Sequence, residues 1–294
     1  MLEKIIVIDE NNNKWFIKNK IAQGGFGTIH NAEGNASLGS TQNDVREKFI
    51  AKIEPSDENH LETEEKIYRT LMLSKQASTH IPTLYASGIG MNKYKEHFRY
   101  IILEHLDVDL SSFLKTHLGK DESWCIVDQI VTQLISALHF CHNHGCSHGD
   151  IKPHNILVNL NDGAPIFKLA DFGLSQLFIK NDKHVSYQTG QLRLHRGTLS
   201  FISEDSHLGV LPSRRSDLEN LGWMLILSLF KISLPWYLND KSYEQRDKSA
   251  VLREKQIFKK QLWKLPSVLQ KFMTLVCNLN YDEAPDYDSL WNAS

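Results

Sequence analysis

The chain is poor in cysteine: four in 294 residues, Cys125, Cys141, Cys146 and Cys277, with no CxxC pair. A disulfide framework or thiolate zinc site is thereby set aside, and reduced thiols in a cytosolic or nuclear protein are expected. Histidine is plentiful, at 14 residues, but no HExxH or Cys/His spacing is present, so no zinc is assigned. Charge of one sign is also lacking. A net charge of -2 offers no electrostatic footprint for nucleic acid or an anionic membrane. No stretch approaches the length of a membrane span. The apolar run in "MLEKIIVIDENNNKWF" is too short for a signal peptide and turns acidic at once. The sequons at Asn35 and Asn292 then read as chance. No internal repeat and no low-complexity tail is found.

What remains is a chain with 41% hydrophobic residues, enough for one large domain or two lobes with separate cores. The first hundred residues alternate as strands do: "KIIVID", "KWFIKNKI", "GTIHNAE" and "KFIAKIE" are β-branched or aromatic and bounded by Asn, Gly or charge. "EGNASLGSTQNDVREK" is a polar loop between two of them. From His60 to Leu73 the period turns helical, with Leu61, Ile67 and Leu71 on one face. "FRYIILEHL" reads as a buried strand. Helices dominate afterwards. Ile126, Ile130, Leu134 and Leu138 form one stripe, with Gly145 as its C-cap. "DLENLGWMLILSLF" is apolar nearly all round and predicts a core helix. Trp223, Trp236 and Trp263 read as packing residues rather than a base-stacking platform. A β-rich first part and an α-rich second part would meet near Glu104 to Asp109.

Three stretches carry chemistry. In "IAQGGFGTI", Gly24, Gly25 and Gly27 remove side chains where backbone amides could approach phosphates, although a glycine hairpin turn explains them about as well. The stretch gains weight from "AKIE", where Lys52 would be a fixed cation for the α- and β-phosphates of ATP. Glu64 on the following helix could hold it. Glu62 and Glu65 are rivals that helical spacing cannot separate, and a lone Lys–Glu pair is usually a solvated surface pair. "HGDIKPHN" is more specific. Asp150 can accept a substrate hydroxyl's proton, Lys152 can neutralise a transferring phosphoryl group, and Asn155 stands where its amide oxygen can meet a metal. In "KLADFGLS", Asp171 would chelate Mg²⁺ and Phe172 would pack to set it.

Over nearly its whole length the chain resembles eukaryotic protein kinases. "HLGVLPSRRSDLENLGWMLI", "PW" at Pro235–Trp236 and "YDEAPDYDSL" look like the casein kinase I group. "KIEPSDENHLETEEKIY" and "SHGDIKPHNIL" are most similar to vaccinia-related kinases and their poxvirus relatives. The resemblance implies an α+β, two-lobed kinase fold as a single domain over 1–294: N-lobe 1–104, hinge 105–109, C-lobe 110–294. It implies a Ser/Thr kinase using ATP and Mg²⁺. It picks Glu64 as the partner of Lys52 and adds Ala22, Ile29, Glu104 and Leu106 to the nucleotide site, with a Leu103 gatekeeper before the hinge at Glu104–His105–Leu106. It assigns Asn155 and Asp171 to metal. Thr198 fits the Ser/Thr class, and Asp217 is expected to accept backbone hydrogen bonds from the catalytic loop. Protein substrates are implied, chromatin-linked ones such as barrier-to-autointegration factor among them. A monomer without direct contact to nucleic acid or membrane is expected, in cytoplasm or nucleus, or in host cytoplasm if the chain is viral. With the last expected helix close to Ser294, a compact form like that of the viral members is expected.

Two departures matter. Ala22 replaces the first glycine of the usual pattern, and Gly149 replaces the Arg that precedes the catalytic Asp. Ordinary casein kinase I binds substrate phosphate with that Arg and another, whose place here is Ser200. Three readings follow: an active kinase of the vaccinia-related type, a pseudokinase acting as a binding module, or a casein kinase I-like enzyme for acidic or primed substrates. The first is preferred, because Lys52, Glu64, Asp150, Lys152, Asn155 and Asp171 are all present. On it, Gly149 marks a lost control by phosphorylation. The segment from Gln191 to Ser206 would then be held by docking on the helix near Arg214, with Arg193 or Arg196 as anchors.

Overall fold

The computed structural model describes residues 5–24, 27–34, 49–74, 78–117, 123–160, 163–237 and 246–291. Most of the polar loop expected over residues 33–48 lies outside them. Two compact units divide the chain. One comprises 1–77 and 82–106; the other comprises 78–81 and 107–294. The sequence did not reveal that Ser78–Ile81 belongs with the second unit, where His80 O accepts the Leu169 N–H at 2.9 Å.

The first unit is an antiparallel sheet of β1 (Ile5–Ile8), β2 (Lys14–Gln23), β3 (Thr28–Gly34), β4 (Phe49–Pro55), β5 (Leu84–Met91) and β6 (His97–Glu104), in the order β1-β2-β3-β4-β6-β5. Trp15, Ile17, Phe49, Ala51, Tyr100 and Ile102 form its core, with Trp15 edge-on to Phe49 at 5.1 Å. The Asp9 carboxylate accepts the Trp15 Nε1–H and the backbone N–H of Asn11 and Asn13, closing the β1–β2 turn. Those bonds outweigh its partial burial and lower its pKa. Strand β5 has no strong strand signature, because Ala, Ser and two glycines weaken it. The glycines are there to admit rings: a Cβ at Gly90 would meet Phe98 at 2.5 Å, and one at Gly88 would meet Tyr100 at 3.0 Å. Helix α1 (His60–Met72) buries Leu61, Glu64, Ile67, Tyr68 and Leu71. Glu54 accepts the Leu61 N–H at 2.7 Å, placing a carboxylate at its first turn.

The second unit is mainly helical: α2 (Leu110–His117), α3 (Ser123–Asn143), α4 (Glu204–His207), α5 (Arg214–Met224), α6 (Lys248–Lys259) and α7 (Ser267–Asn278). Among them lie the short strands β7 (Val108–Asp109), β8 (Cys146–Ser147), β9 (Ile156–Asn159), β10 (Ile166–Leu169) and β11 (Gln176–Leu177). Strands β9 and β10 form a hairpin, and the pairing of Ile156 with Leu169 at its open end sets the loop before β9 beside the loop after β10. Contrary to expectation, Trp124–Asn143 within α3 is long and apolar enough to span a membrane, with a mean hydropathy of 1.3. Its stripe Ile130, Val131, Leu134 and Leu138 is buried, and α3 packs on β10, β8 and α5, as a core helix does. Gly145 ends it at φ +72°. Helix α5 is buried on every side and runs into a π-helical turn, Leu225–Leu229. A Cβ at Gly222 would meet Met273 Sδ at 2.2 Å, so glycine lets α5 and α7 close together. Trp223 and Trp236 are fully buried, whereas Trp263 is 68% exposed and packs no core.

Candidate active site

In the first unit, register sets three of the expected nucleotide residues in a row: Ala22 pairs with Ile29, and Ile29 with Lys52. The turn between β2 and β3 closes through the Gly24 N–H to Gly27 O at 2.8 Å. Glycine is mandatory at Gly27, where a Cβ would lie 2.2 Å from Ile53 O. It is not sterically required at Gly24, where the nearest atom would be 3.5 Å away. Ala22 is exposed, with its methyl tolerated. Gly25 lies outside the described residues. Lys52 Nζ donates to both carboxylate oxygens of Glu64, at 2.8 and 3.0 Å, with Glu64 nearly buried. The rivals are engaged elsewhere: Glu62 with Arg99 at 3.0 Å, and Glu65 with Arg69 and the Ser87 hydroxyl. Burial on the helix explains the choice, since Glu64 lies on the inward stripe of α1 with Leu61, Tyr68 and Leu71 and its neighbours do not. At the end of β6, the Glu104 N–H donates to Thr83 O while its carboxylate accepts the Thr83 N–H. Leu103 is buried and Leu106 half-buried, and the first unit ends at Leu106.

In the second unit the catalytic-loop residues converge on Asp150. Its Oδ1 accepts the Thr198 N–H at 2.9 Å and the Thr198 hydroxyl at 2.8 Å. Its Oδ2 accepts Lys152 Nζ at 2.6 Å and Asn155 Nδ2 at 3.2 Å. Asn155 Nδ2 also donates to the Asp150 carbonyl at 2.9 Å, which orients the amide and leaves Oδ1 as its acceptor end. The loop is held from below. Buried Asp217 accepts the His148 N–H at 2.7 Å, the Gly149 N–H at 2.8 Å and His142 Nε2 at 2.9 Å. Burial lowers the His142 pKa against the pull of Asp217, keeping the ring neutral. His148, which the sequence left unassigned, is wholly buried and ties the loop to the strand before Asp171, through Nε2 to Ala170 O at 3.0 Å. The Ala170 N–H to Asn155 O bond, 2.8 Å, makes the second tie. Asp171 then adopts φ +70°, the left-handed region that Asp tolerates better than most. Phe172 packs edge-on to His148 at 5.0 Å. The amide oxygen of Asn155 and the carboxylate of Asp171 are hard oxygen donors on tied segments, which fits Mg²⁺.

Gly149 sits at φ +84°, and a Cβ there would lie 2.9 Å from Leu174 O. Beside it is a cavity of only about 10 Å³, bordered by Leu174, Arg193, Arg196 and Pro212. The segment that follows is anchored without either expected arginine: Arg193 and Arg196 make no hydrogen bond or ion pair among the described residues. It is held instead by backbone bonds, Gly190 to Leu208, Leu192 to Gly209 and His195 to Ser206, each 2.9 Å. Arg215 on α5 grips Asp205 through two bonds of 2.9 and 2.7 Å, and that carboxylate raises the Arg215 pKa. Trp236 and Lys255 complete the anchoring from the core. Lys255 was legible as an oddity only, a lysine four residues after buried Val251 on the inward stripe of α6.

Sequence comparison agrees with this geometry. Residues 15–289 match the protein kinase domain, and the chain belongs to that family. It is 31% identical to probable serine/threonine-protein kinase FPV212 of Fowlpox virus (strain NVSL), over 98% of this chain and 94% of that one. It is 28% identical to the B1 kinase of Vaccinia virus (strain Copenhagen), over 97% and 94%. Human serine/threonine-protein kinase VRK2 is 31% identical, over 97% of this chain and 57% of that one. The solved structure of vaccinia related kinase 3 superposes with a TM-score of 0.77 at 26% identity, covering 97% of this chain and 87% of that one. Within the family, the chain is a serine/threonine kinase of the vaccinia-related type with poxvirus relatives.

Proposed function

We propose that this kinase transfers the γ-phosphoryl group of ATP to protein hydroxyls without prior phosphorylation of its activation segment. The observation that carries the reading is the segment's anchoring. Arg215–Asp205, three backbone bonds and two core side chains hold it, while Gly149 has neither side chain nor space for a phosphate clamp.

Asp150 receives the acceptor hydroxyl's proton and aims its oxygen. All four bonds to its carboxylate are already made, so the hydroxyl enters by taking over one of them. Thr198 Oγ1 is the natural one to yield, being itself a Ser/Thr-type hydroxyl. Lys152 remains beside the carboxylate as a cation for the transferring group. Lys52, fixed by Glu64, orients the α- and β-phosphates. Asn155 and Asp171 would hold Mg²⁺, which supplies charge neutralisation on the phosphates. Substrates are proteins, and the family resemblance favours chromatin-linked ones such as barrier-to-autointegration factor, met in cytoplasm or nucleus.

The test is a radiolabelled transfer assay with Mg·ATP on phosphatase-treated protein from a bacterial host, with barrier-to-autointegration factor and casein side by side. Transfer at once, with no lag, is expected. A lag abolished by pre-incubation with ATP and restored by phosphatase would overturn the proposal. Nucleotide binding with no transfer to either substrate would instead favour a pseudokinase.

A further inference from the structure

Lys255 is the unusual residue of α6. Its side chain is fully buried, yet it makes no ion pair among the described residues. Its Nζ donates to Leu199 O at 3.1 Å and to Ile202 O at 2.5 Å, and lies 5.4 Å from the centre of the Trp236 ring. Trp236 Nε1–H donates to the carbonyl between them, Ser200 O, at 2.9 Å. Within the same turn the N–H groups of Phe201 and Ile202 return to Thr198 O at 2.8 and 3.1 Å. Thr198 in turn binds Asp150 Oδ1 by backbone and hydroxyl. An unbroken chain of bonds therefore runs from the middle of α6 to the catalytic carboxylate.

Burying an ammonium without a carboxylate is costly, and an apolar residue of similar size would serve packing better. What an apolar residue cannot do is satisfy two carbonyls that point into the core. The surroundings are mixed. Glu219 on α5 attracts the charge and Lys259 on the same helix repels it, while His207 on α4 and His195 on the segment also feel it. Burial brings the amine down to about 7. Charged or neutral, the amine keeps at least two N–H donors, so both bonds persist through neutral pH.

We infer that Lys255, seconded by Trp236, is a positioning residue for phosphoryl transfer: from the core it fixes the Thr198–Ile202 turn, and through Thr198 it sets Asp150 against the acceptor hydroxyl. It supplies from inside the fold the order that other kinases obtain from a surface phosphate. The inference rests on the catalytic role proposed for Asp150.

Two variants test it on the full chain, Lys255→Met and Trp236→Phe, the second keeping most of the ring packing while removing one hydrogen bond. Nucleotide affinity is measured by calorimetry, which also counts the sites able to bind. Transfer to a protein substrate is then expressed per binding-competent site. Lys255→Met should reduce transfer on the order of 10²-fold with nucleotide affinity unchanged, as a displaced catalytic group does. Trp236→Phe should reduce it by about tenfold, the scale of one hydrogen bond. A merely structural role would lower melting temperature and the number of competent sites, and leave transfer per site intact. Unchanged transfer per site in either folded variant overturns the inference. If Lys255→Met does not fold, Trp236→Phe alone decides it. Absence of transfer by the unaltered protein would instead strike at the catalytic reading beneath it.

Discussion

Placing a side chain at Gly149 is the sharpest perturbation the fold offers. Any L-residue there must hold φ near +84° and bring its Cβ to 2.9 Å from Leu174 O. The torsional term alone costs roughly 1–3 kcal/mol. In a domain of this size each kcal/mol is worth about 2–4 °C in melting temperature, so Gly149→Ala should lose roughly 2–12 °C. Gly190→Ala is the control, because φ is +72° there but nothing lies within 4 Å of the added Cβ. It should show the torsional cost without the crowding. Gly149→Arg should be at least as destabilised as Gly149→Ala, since the neighbouring cavity of about 10 Å³ cannot take a guanidinium. Because Asp217 binds the Gly149 N–H and Asp150 is the next residue, turnover should fall in both variants at position 149. Scanning fluorimetry and initial rates on phosphatase-treated protein give the two readouts. A Gly149→Arg protein with unchanged melting temperature, whose turnover rises above the parent's once the segment is phosphorylated, would refute the argument.

Asp150→Ala should leave nucleotide affinity intact and cut kcat by about 10²–10⁴-fold, measured by calorimetry and single-turnover transfer. Lys52→Met should depress kcat more than nucleotide affinity, with Glu64→Gln acting the same way but less. Glu62→Gln and Glu65→Gln should be nearly silent in the same steady-state assay, since those carboxylates serve Arg99 and Arg69. Buried His142 and His207 have lowered pKa values, His207 at about 2, so the folded chain keeps both neutral while the unfolded chain protonates below ~6.5. Their contribution to stability is present above that pH and is progressively lost as pH falls toward the folded values. Melting temperature should therefore drop between pH 6.5 and 5, and His207→Gln should flatten the slope.

Much of this was legible in the sequence because local pattern and tertiary role coincide. The strands β1 to β4 are rich in β-branched and aromatic residues, α1 keeps one apolar stripe, and the motifs around Asp150 and Asp171 have fixed offsets that chance seldom reproduces. Other features had no local signal. Strand β5 looked unlike a strand because its glycines serve the rings of Tyr100 and Phe98 on the next strand. Glu64 was chosen over its neighbours by family resemblance, and its bonds to Lys52 agree with that choice, although helical spacing alone did not separate the three. Arg193 and Arg196 were expected as anchors because they are near in sequence. The expected docking on the helix near Arg214 is made by Arg215, whereas the other anchors, Trp236 and Lys255, come from farther along the chain, where no spacing rule links them to residues 190–209. Trp263, expected to pack, is a surface residue.

The backbone ladder between residues 190–195 and 206–209 also bears on inhibitor chemistry. A ligand that binds only after this segment has swung away must select a rare conformer. Its apparent affinity is divided by that conformer's fractional population. Each of the three ladder bonds, the Arg215–Asp205 grip and the Lys255 contacts makes that fraction smaller. Compounds that accept the segment where it stands carry no such penalty. Selectivity between this kinase and relatives whose segment loosens on dephosphorylation can therefore be sought in the conformer a compound demands, even where the atoms it touches are the same.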